Sequence, residues 1–329
     1  MLPAQFLLEV GYTGTHSIRT PLQRSMNAIP NQYLSKSPVR DQNTINYLTA
    51  QVPNPFSGLL PGTGLNTATV ARSQLLLPFP QFTGITMNDY QGFTRYNALQ
   101  VRVERRFNQG FTLLAGYSFS KNIAAENYYA VSSGAYLNAG DPTPTRAIAG
   151  IDQTHMFTIT AMWELPFGKG KPLLNNIGRL ADAFVGGWQL SGVETVHSGV
   201  PATFGNVLFT GNIKDIPLSG NQRTVDHWIN TAGFVTSPSQ QLSSNYRTFP
   251  IRLSSVRTGY YNSQDISLLK NIYFHERHHF QYRLEAYNVL NHPTAFTGLV
   301  TDPTSSAFGR VTDTWALGRQ LQMGIKYLF

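Results

Sequence analysis

Cysteine is missing from all 329 residues of this chain, which excludes disulfides and thiolate metal sites. That absence suits a bacterial periplasm or outer membrane. Charge is scarce as well. Asp, Glu, Lys and Arg make up 13% of the residues, about half the usual share of a soluble domain. Long apolar runs are also lacking, and none approaches the roughly 18 residues of a membrane-spanning helix. Mean hydropathy is −0.20, so a scan for apolar helices would class the protein as soluble. A β-barrel escapes such a scan, because only alternate residues of each strand face lipid. The net charge of +8 is spread over scattered residues rather than a basic run. No nucleic-acid partner is therefore expected; the pattern fits sparse Lys and Arg in a barrel lumen or beside anionic head groups.

Aromatic residues, by contrast, reach 12%, with 28 Gly and 19 Pro, a composition for many strands and turns. The segment Arg319 to Phe329 carries the clearest pattern. Leu321, Met323, Ile325, Tyr327 and Phe329 fall on one side of an extended strand, and Gln320, Gln322, Gly324 and Lys326 on the other. Strand side chains alternate with a period of two, so this segment has one apolar and one polar face. It ends on an aromatic where soluble domains usually fray. A transmembrane barrel has a reason to end so, with a closing strand and an interfacial aromatic.

The same alternation recurs along the chain. It predicts strands at Ala4–Tyr12, followed by a turn at Thr13-Gly-Thr-His, and at about 97–104, 111–120, 157–165, 188–197, 262–273, 279–289 and 319–329. Asn108-Gln-Gly110 is a short hairpin signal, and a short helix is expected within Leu173 to Phe184. Between the strands, connections near 109 and 275 are short and that near 175 moderate, whereas those near 55, 137, 230 and 303 are long. Short turns at one end and long loops at the other is the asymmetry of an outer-membrane barrel, with the turns in the periplasm. The expected fold is thus all-β: an antiparallel transmembrane β-barrel segment of about eight strands with long extracellular loops, occupying 1–329 as one domain. Leu99, Val101, Val103, Phe111, Leu113, Phe157, Ile159, Trp163, Leu321, Met323 and Ile325 should form one continuous apolar outer surface.

Asp265-Ile-Ser-Leu-Leu-Lys-Asn, Arg283-Leu-Glu-Ala-Tyr-Asn-Val-Leu-Asn-His-Pro293, Phe308-Gly-Arg-Val and the terminal strand resemble the end of TonB-dependent outer-membrane receptors. The likeness is greatest to the Oar-like group, whose members carry an N-terminal carboxypeptidase-regulatory-like domain. Tyr96-Asn-Ala-Leu-Gln-Val-Arg-Val-Glu-Arg-Arg-Phe and Leu113-Leu-Ala-Gly-Tyr-Ser-Phe-Ser-Lys are similar to barrel strands of the same group. The resemblance implies ligand uptake driven by the TonB complex, an outer-membrane location, lipid contact, and an open part of a barrel of about 22 strands. It also implies that Leu321, Met323, Ile325, Tyr327 and Phe329 are read by the barrel assembly machinery. The family's signal peptide, TonB box and plug have no counterpart in these residues. Met1-Leu-Pro-Ala-Gln-Phe-Leu-Leu-Glu-Val lacks a basic leader region and meets Glu9 early. The expectation is a C-terminal portion that takes part in uptake of an unidentified ligand only within the intact protein. The alternative is a self-closing eight-stranded barrel acting as anchor or adhesin.

One motif points to other chemistry. His275-Glu276-Arg-His-His279 matches the zinc signature in which two His share a helical face and Glu activates a zinc-bound water. Here it lies between two alternating, strand-like segments, so a periplasmic hairpin turn is expected and a zinc metalloprotease is the distant alternative. Gly168-Lys-Gly-Lys lacks the spacing of a phosphate-binding loop. Glu104, Glu164, Glu194 and Glu285 sit on separate strands; Glu104, Glu164 and Glu285 are read as inner-face charges, paired with Arg102 and Arg283 rather than as a carboxylate hydrolase site. No catalytic, cofactor-binding or metal residue is assigned, and neither enzymatic activity nor a cofactor is expected.

Overall fold

The computed structural model describes residues 5–125, 135–274, 278–292, 297–314 and 317–329. In chain order the elements are β1 (Phe6–Ser25), α1 (Gln42–Thr49), β2 (Gln51–Pro53), β3 (Thr69–Ala71), α2 (Arg72–Leu75), β4 (Thr86–Asn108) and β5 (Phe111–Ala125). Then follow β6 (Ala147–Ile148), β7 (His155–Glu164), α3 (Arg179–Val185), β8 (Trp188–His197), β9 (Pro201–Thr203) and β10 (Arg252–Arg257). The last three strands are β11 (Tyr261–Tyr273), β12 (His279–Tyr287) and β13 (Gln320–Leu328).

One antiparallel sheet dominates, in the order β1-β4-β5-β7-β8-β11-β12-β13, with β6 attached beside β5. Its neighbours are successive in the chain apart from the small loop strands, as in an up-and-down barrel wall. The β4–β5 turn shows why the sequence pairs this way. Asn108 faces Phe111 across a two-residue loop, and Gln109 and Gly110 both have positive φ, at 50° and 79°. That backbone matches the twist of the flanking strands, and glycine adopts it at little cost.

Register sets the tilt. Phe111, at the turn end of β5, leads through the paired residues Trp163, Leu190, Leu268 and Leu284 to Met323, well inside β13. The stagger is about one residue per strand, which for a rise of ~3.3 Å and a spacing of ~4.8 Å inclines the strands by roughly 35–40°. Membrane barrels have that tilt.

Several expectations need correction. The first strand does not stop at Tyr12, and Thr13-Gly-Thr-His is no turn: Gly14 pairs with Asn97 and His16 with Arg95. Regularity ends later, where the register shifts around Thr20 and Arg19 takes φ 56°. Pro21 sits at this irregularity on an edge strand, where a missing N–H is tolerated. The short helix in the 165–187 connection, Arg179–Val185, lies at the end of the segment expected for it and runs one residue beyond Phe184. The self-closing barrel is also set aside. Among the described residues β1 pairs only with β4 and β13 only with β12, so the sheet stays open.

The long connections do not merely pass over the surface. Ala202, Phe204, Val207, Ile216, Ile229, Phe234, Phe249, Leu253 and Val256 form a buried core within the 198–260 connection. Phe308, from the last connection, meets Phe234 edge-on at 5.1 Å. Hydrogen bonds tie the connections together. Asn245 donates to the Ser37 and Val39 carbonyls at 3.0 Å, the Arg247 amide donates to the Asn138 side chain at 2.7 Å, and Thr301 donates to the Thr203 carbonyl at 2.7 Å. The result is a packed layer capping the long-loop end of the sheet.

Candidate functional site

Because paired residues share a face, the register assigns every strand side chain. Val10, Val101, Tyr117, Phe157 and Val196 form one row, and Leu8, Val103, Ala115 and Ile159 form the next. All of the expected outer-surface residues lie on this face, in rows that reach Leu321, Met323 and Ile325 on β13. At the open edges these side chains stand bare: Val10 is 63% exposed and Ile325 75%. At the short-turn end the face finishes in aromatics. Tyr327 lies 5.2 Å from Phe280 and 5.8 Å from Phe329, and its hydroxyl is 2.7 Å from His278 Nδ1. Lys270, on the same face, lies over the Trp188 ring at 5.3 Å and donates to the Gly186 carbonyl.

The opposite face is polar. Arg102 is gripped by Glu9 at 3.0 Å and Glu104 at 2.7 Å, and Arg106 adds a contact to Glu104 at 3.5 Å. Beside this ladder lies a hollow of about 530 Å³ lined by Gln100, Ser118, Thr158 and Thr160 among others. Gly11 and Gly116 contribute no side chain to it, and no neighbour crowds either position. A second hollow, of about 260 Å³, lies between Thr160, Ser267 and Glu285. The inner-face carboxylates are paired: Glu164 with Lys171 at 2.7 Å, rather than with an arginine, and Glu285 with Arg283 at 3.6 Å. Glu194 instead lies on the apolar face, where Gln264 donates to it at 3.2 Å. This surface can hydrogen-bond a polar solute. On it the Ser263 and Tyr287 hydroxyls donate to the Asp265 and Glu285 carboxylates, each at 3.2 Å.

His275 and Glu276 lie outside the described residues. His279 is in β12, paired with Tyr273 and Leu328, so strands rather than a helix flank the motif. Among the described residues no cluster of three metal-ligating side chains occurs.

The loop layer holds what sequence reading missed. Asp152, whose side chain is fully buried, meets Arg257 at 2.6 Å and accepts from the Asn122 amide at 2.6 Å. Arg257 also donates to the carbonyls of Asp152 and Gly199. Burial pulls the Arg247 and Arg252 guanidinium pKa values below their ordinary range. No alternation announces such residues, because their partners are more than a hundred positions away or lie in irregular backbone.

Residues 1–322 match the family model described as "Outer membrane beta barrel domain". The chain belongs to that family. Its apolar face is thereby the lipid-facing surface of an outer-membrane barrel, and its polar face the lumenal one. No curated protein matches the chain. Among solved structures, the crystal structure of the outer membrane transporter YddB from Escherichia coli is similar, with a TM-score of 0.47 and 10% identity. The match covers 100% of this chain and 31% of that one, so this barrel chain spans about a third of that transporter's length.

Proposed function

We propose that this chain forms part of the wall and the outer loop layer of a larger TonB-dependent receptor of the Oar-like kind. In the intact protein its role is uptake of a scarce, bulky ligand through the barrel, without enzymatic chemistry or a cofactor. The observation that carries the reading is the open sheet: among the described residues, β1 and β13 each leave one edge unpaired. Exposed edges invite further strands, and a larger wall supplies them. The lumenal hollow beside Arg102 and the packed outer loops support it further. Deleting the parent gene should abolish growth on at least one bulky, scarce nutrient, and deleting the TonB complex should reproduce that loss. Uptake indifferent to TonB would sink the energised reading and leave a passive wall.

The same proposal assigns the assembly signal to Leu321, Met323, Ile325, Tyr327 and Phe329. β13 combines an apolar face, a free edge for strand addition and a terminal aromatic cluster, the features a strand-capturing machine can recognise. Replacing Phe329 with Asp in the intact protein should reduce outer-membrane insertion, read as heat-modifiable protein, far more than one lost contact would. Unchanged insertion would make the ending on Phe incidental.

A further inference from the structure

Above the lipid-facing band the same face of β5 continues with Lys121 and Ile123, two and four residues beyond Phe119. One alternation adds about 7 Å along a strand, so Lys121 stands just outside the apolar zone on the outer side of the wall. There β6 pairs with β5, Ile148 against Ile123, and a pocket of about 480 Å³ opens between β5, β6 and the 248–254 segment. Three cations line it: Lys121, Arg146 and Arg252. No carboxylate does.

Neighbouring acids are engaged elsewhere. Asp152 holds Arg257, and Asp141 accepts from Asn31 at 2.7 Å and from the Asn138 amide at 2.9 Å. Among the described residues Lys121, Arg146 and Arg252 form no ion pair. Arg252 is the deepest of the three. It donates only to neutral oxygens, Thr203 Oγ1 at 3.1 Å and the Ile148 carbonyl at 3.4 Å. A side chain on Gly150 would press on its guanidinium at 3.3 Å. Burial disfavours its charge, as its lowered pKa records, and an anion in the pocket would compensate for that cost.

We propose that the pocket of Lys121, Arg146 and Arg252 binds the phosphate of a net-anionic outer-leaflet lipid headgroup. The inference rests on the assignment of the apolar face to lipid. Three cations lining one pocket with no carboxylate suit an anionic oxygen group such as phosphate, which guanidinium forks bind bidentately, and position favours a lipid phosphate over a free ion. Its β5 lining residues, Lys121 and Ile123, lie on the face of that strand that carries Phe119 and Tyr117, where acyl chains run, and not on the lumenal face where a solute passes.

Native mass spectrometry of the intact detergent-solubilised protein can test this with phosphatidic acid, phosphatidylcholine and inorganic phosphate. Phosphatidic acid should be retained in preference to phosphatidylcholine. The double substitution K121Q/R146Q, at two exposed positions, should weaken that retention roughly 20- to 30-fold, from the usual worth of two surface cations near anionic lipid. The matched control K169Q, at the short-turn end, should leave it unchanged. Equal retention of both lipids, or retention indifferent to K121Q/R146Q, would overturn the proposal. Displacement of the lipid by millimolar phosphate would overturn the lipid assignment in favour of a free-anion site. Heat-modifiability of the same samples reads barrel formation separately, so a failed lipid site leaves the barrel reading standing.

Discussion

The sheet and the loop layer obey opposite rules about where apolar side chains go. In the sheet, Val10, Tyr12, Leu321, Met323 and Ile325 point outward and stay exposed, while charges and hydroxyls such as Arg102 and Thr158 line the other face. In the loop layer, Phe204, Phe234, Phe249, Ile216 and Val256 are buried, as in a small water-soluble domain. The difference is one of solvent. Lipid rewards an apolar exterior, and within it every backbone group must find its partner in the strand ladders. Water drives apolar groups together, and the loop layer meets water on its outer side. One chain thus folds under two solvents, with the boundary near Phe119 and Lys121.

The sharpest way to break this contrast is to remove the loop core. Phe234→Ala should cost the loop layer about 3–5 kcal/mol, because Phe234 touches Phe204, Phe209, Phe249 and Phe308. Limited proteolysis of intact cells should then cut the 198–260 connection, while the barrel stays heat-modifiable. Loss of the barrel itself would show that the two regions fold as one. Asp152→Ala should have a comparable effect, about 3–5 kcal/mol, since it leaves Arg257 without its anion. Faster cleavage around 145–155 would report it.

A charge distinguishes the two faces within the sheet. Ile159→Arg, on the lipid side, should destabilise the inserted barrel by about 2–4 kcal/mol, whereas Thr158→Arg, on the lumenal side, should change it little. Urea unfolding in bilayers measures both, and equal costs would contradict the face assignment. Smaller again is the effect of acid on α1. Asp41 caps that helix, and hydrogen bonds from the Thr44 hydroxyl, then the Ser35 hydroxyl and the Thr44 amide, lower its pKa to about 2. A depressed carboxylate stabilises the fold above its unfolded value of 3.8, and that contribution is lost as pH falls toward about 2. Pepsin cleavage within Asn43–Leu48 should rise over that interval, and Asp41→Asn should flatten the rise. The smallest change is expected from Gln322→Asn, on the lumenal face of β13, which should leave insertion near its normal level.

Legibility followed the same division. The alternation of Phe111, Leu113 and Tyr117, or of Leu321, Met323 and Ile325, made strands, faces and most boundaries readable, because a wall between lipid and lumen must alternate residue by residue. Where the wall leaves the bilayer that constraint lapses. The upper halves of β1 and β4 went unread, since Thr13 to Ser25 and Thr86 to Arg95 carry mixed side chains and are held by pairing with each other. The lumenal charges Arg102, Glu104 and Glu285 were legible as face positions, but their partners were not all so: Glu9 and Lys171 emerge only when strands and turns are set side by side.

By itself, then, the sequence determined the number and direction of the main strands, the apolar face and the outer-membrane reading, because these depend on a local period of two. Tertiary structure alone decided that the long connections carry a phenylalanine core and that Lys121, Arg146 and Arg252 line one pocket. Those outcomes depend on contacts between residues far apart in the chain, and no local pattern records which of two distant segments will meet.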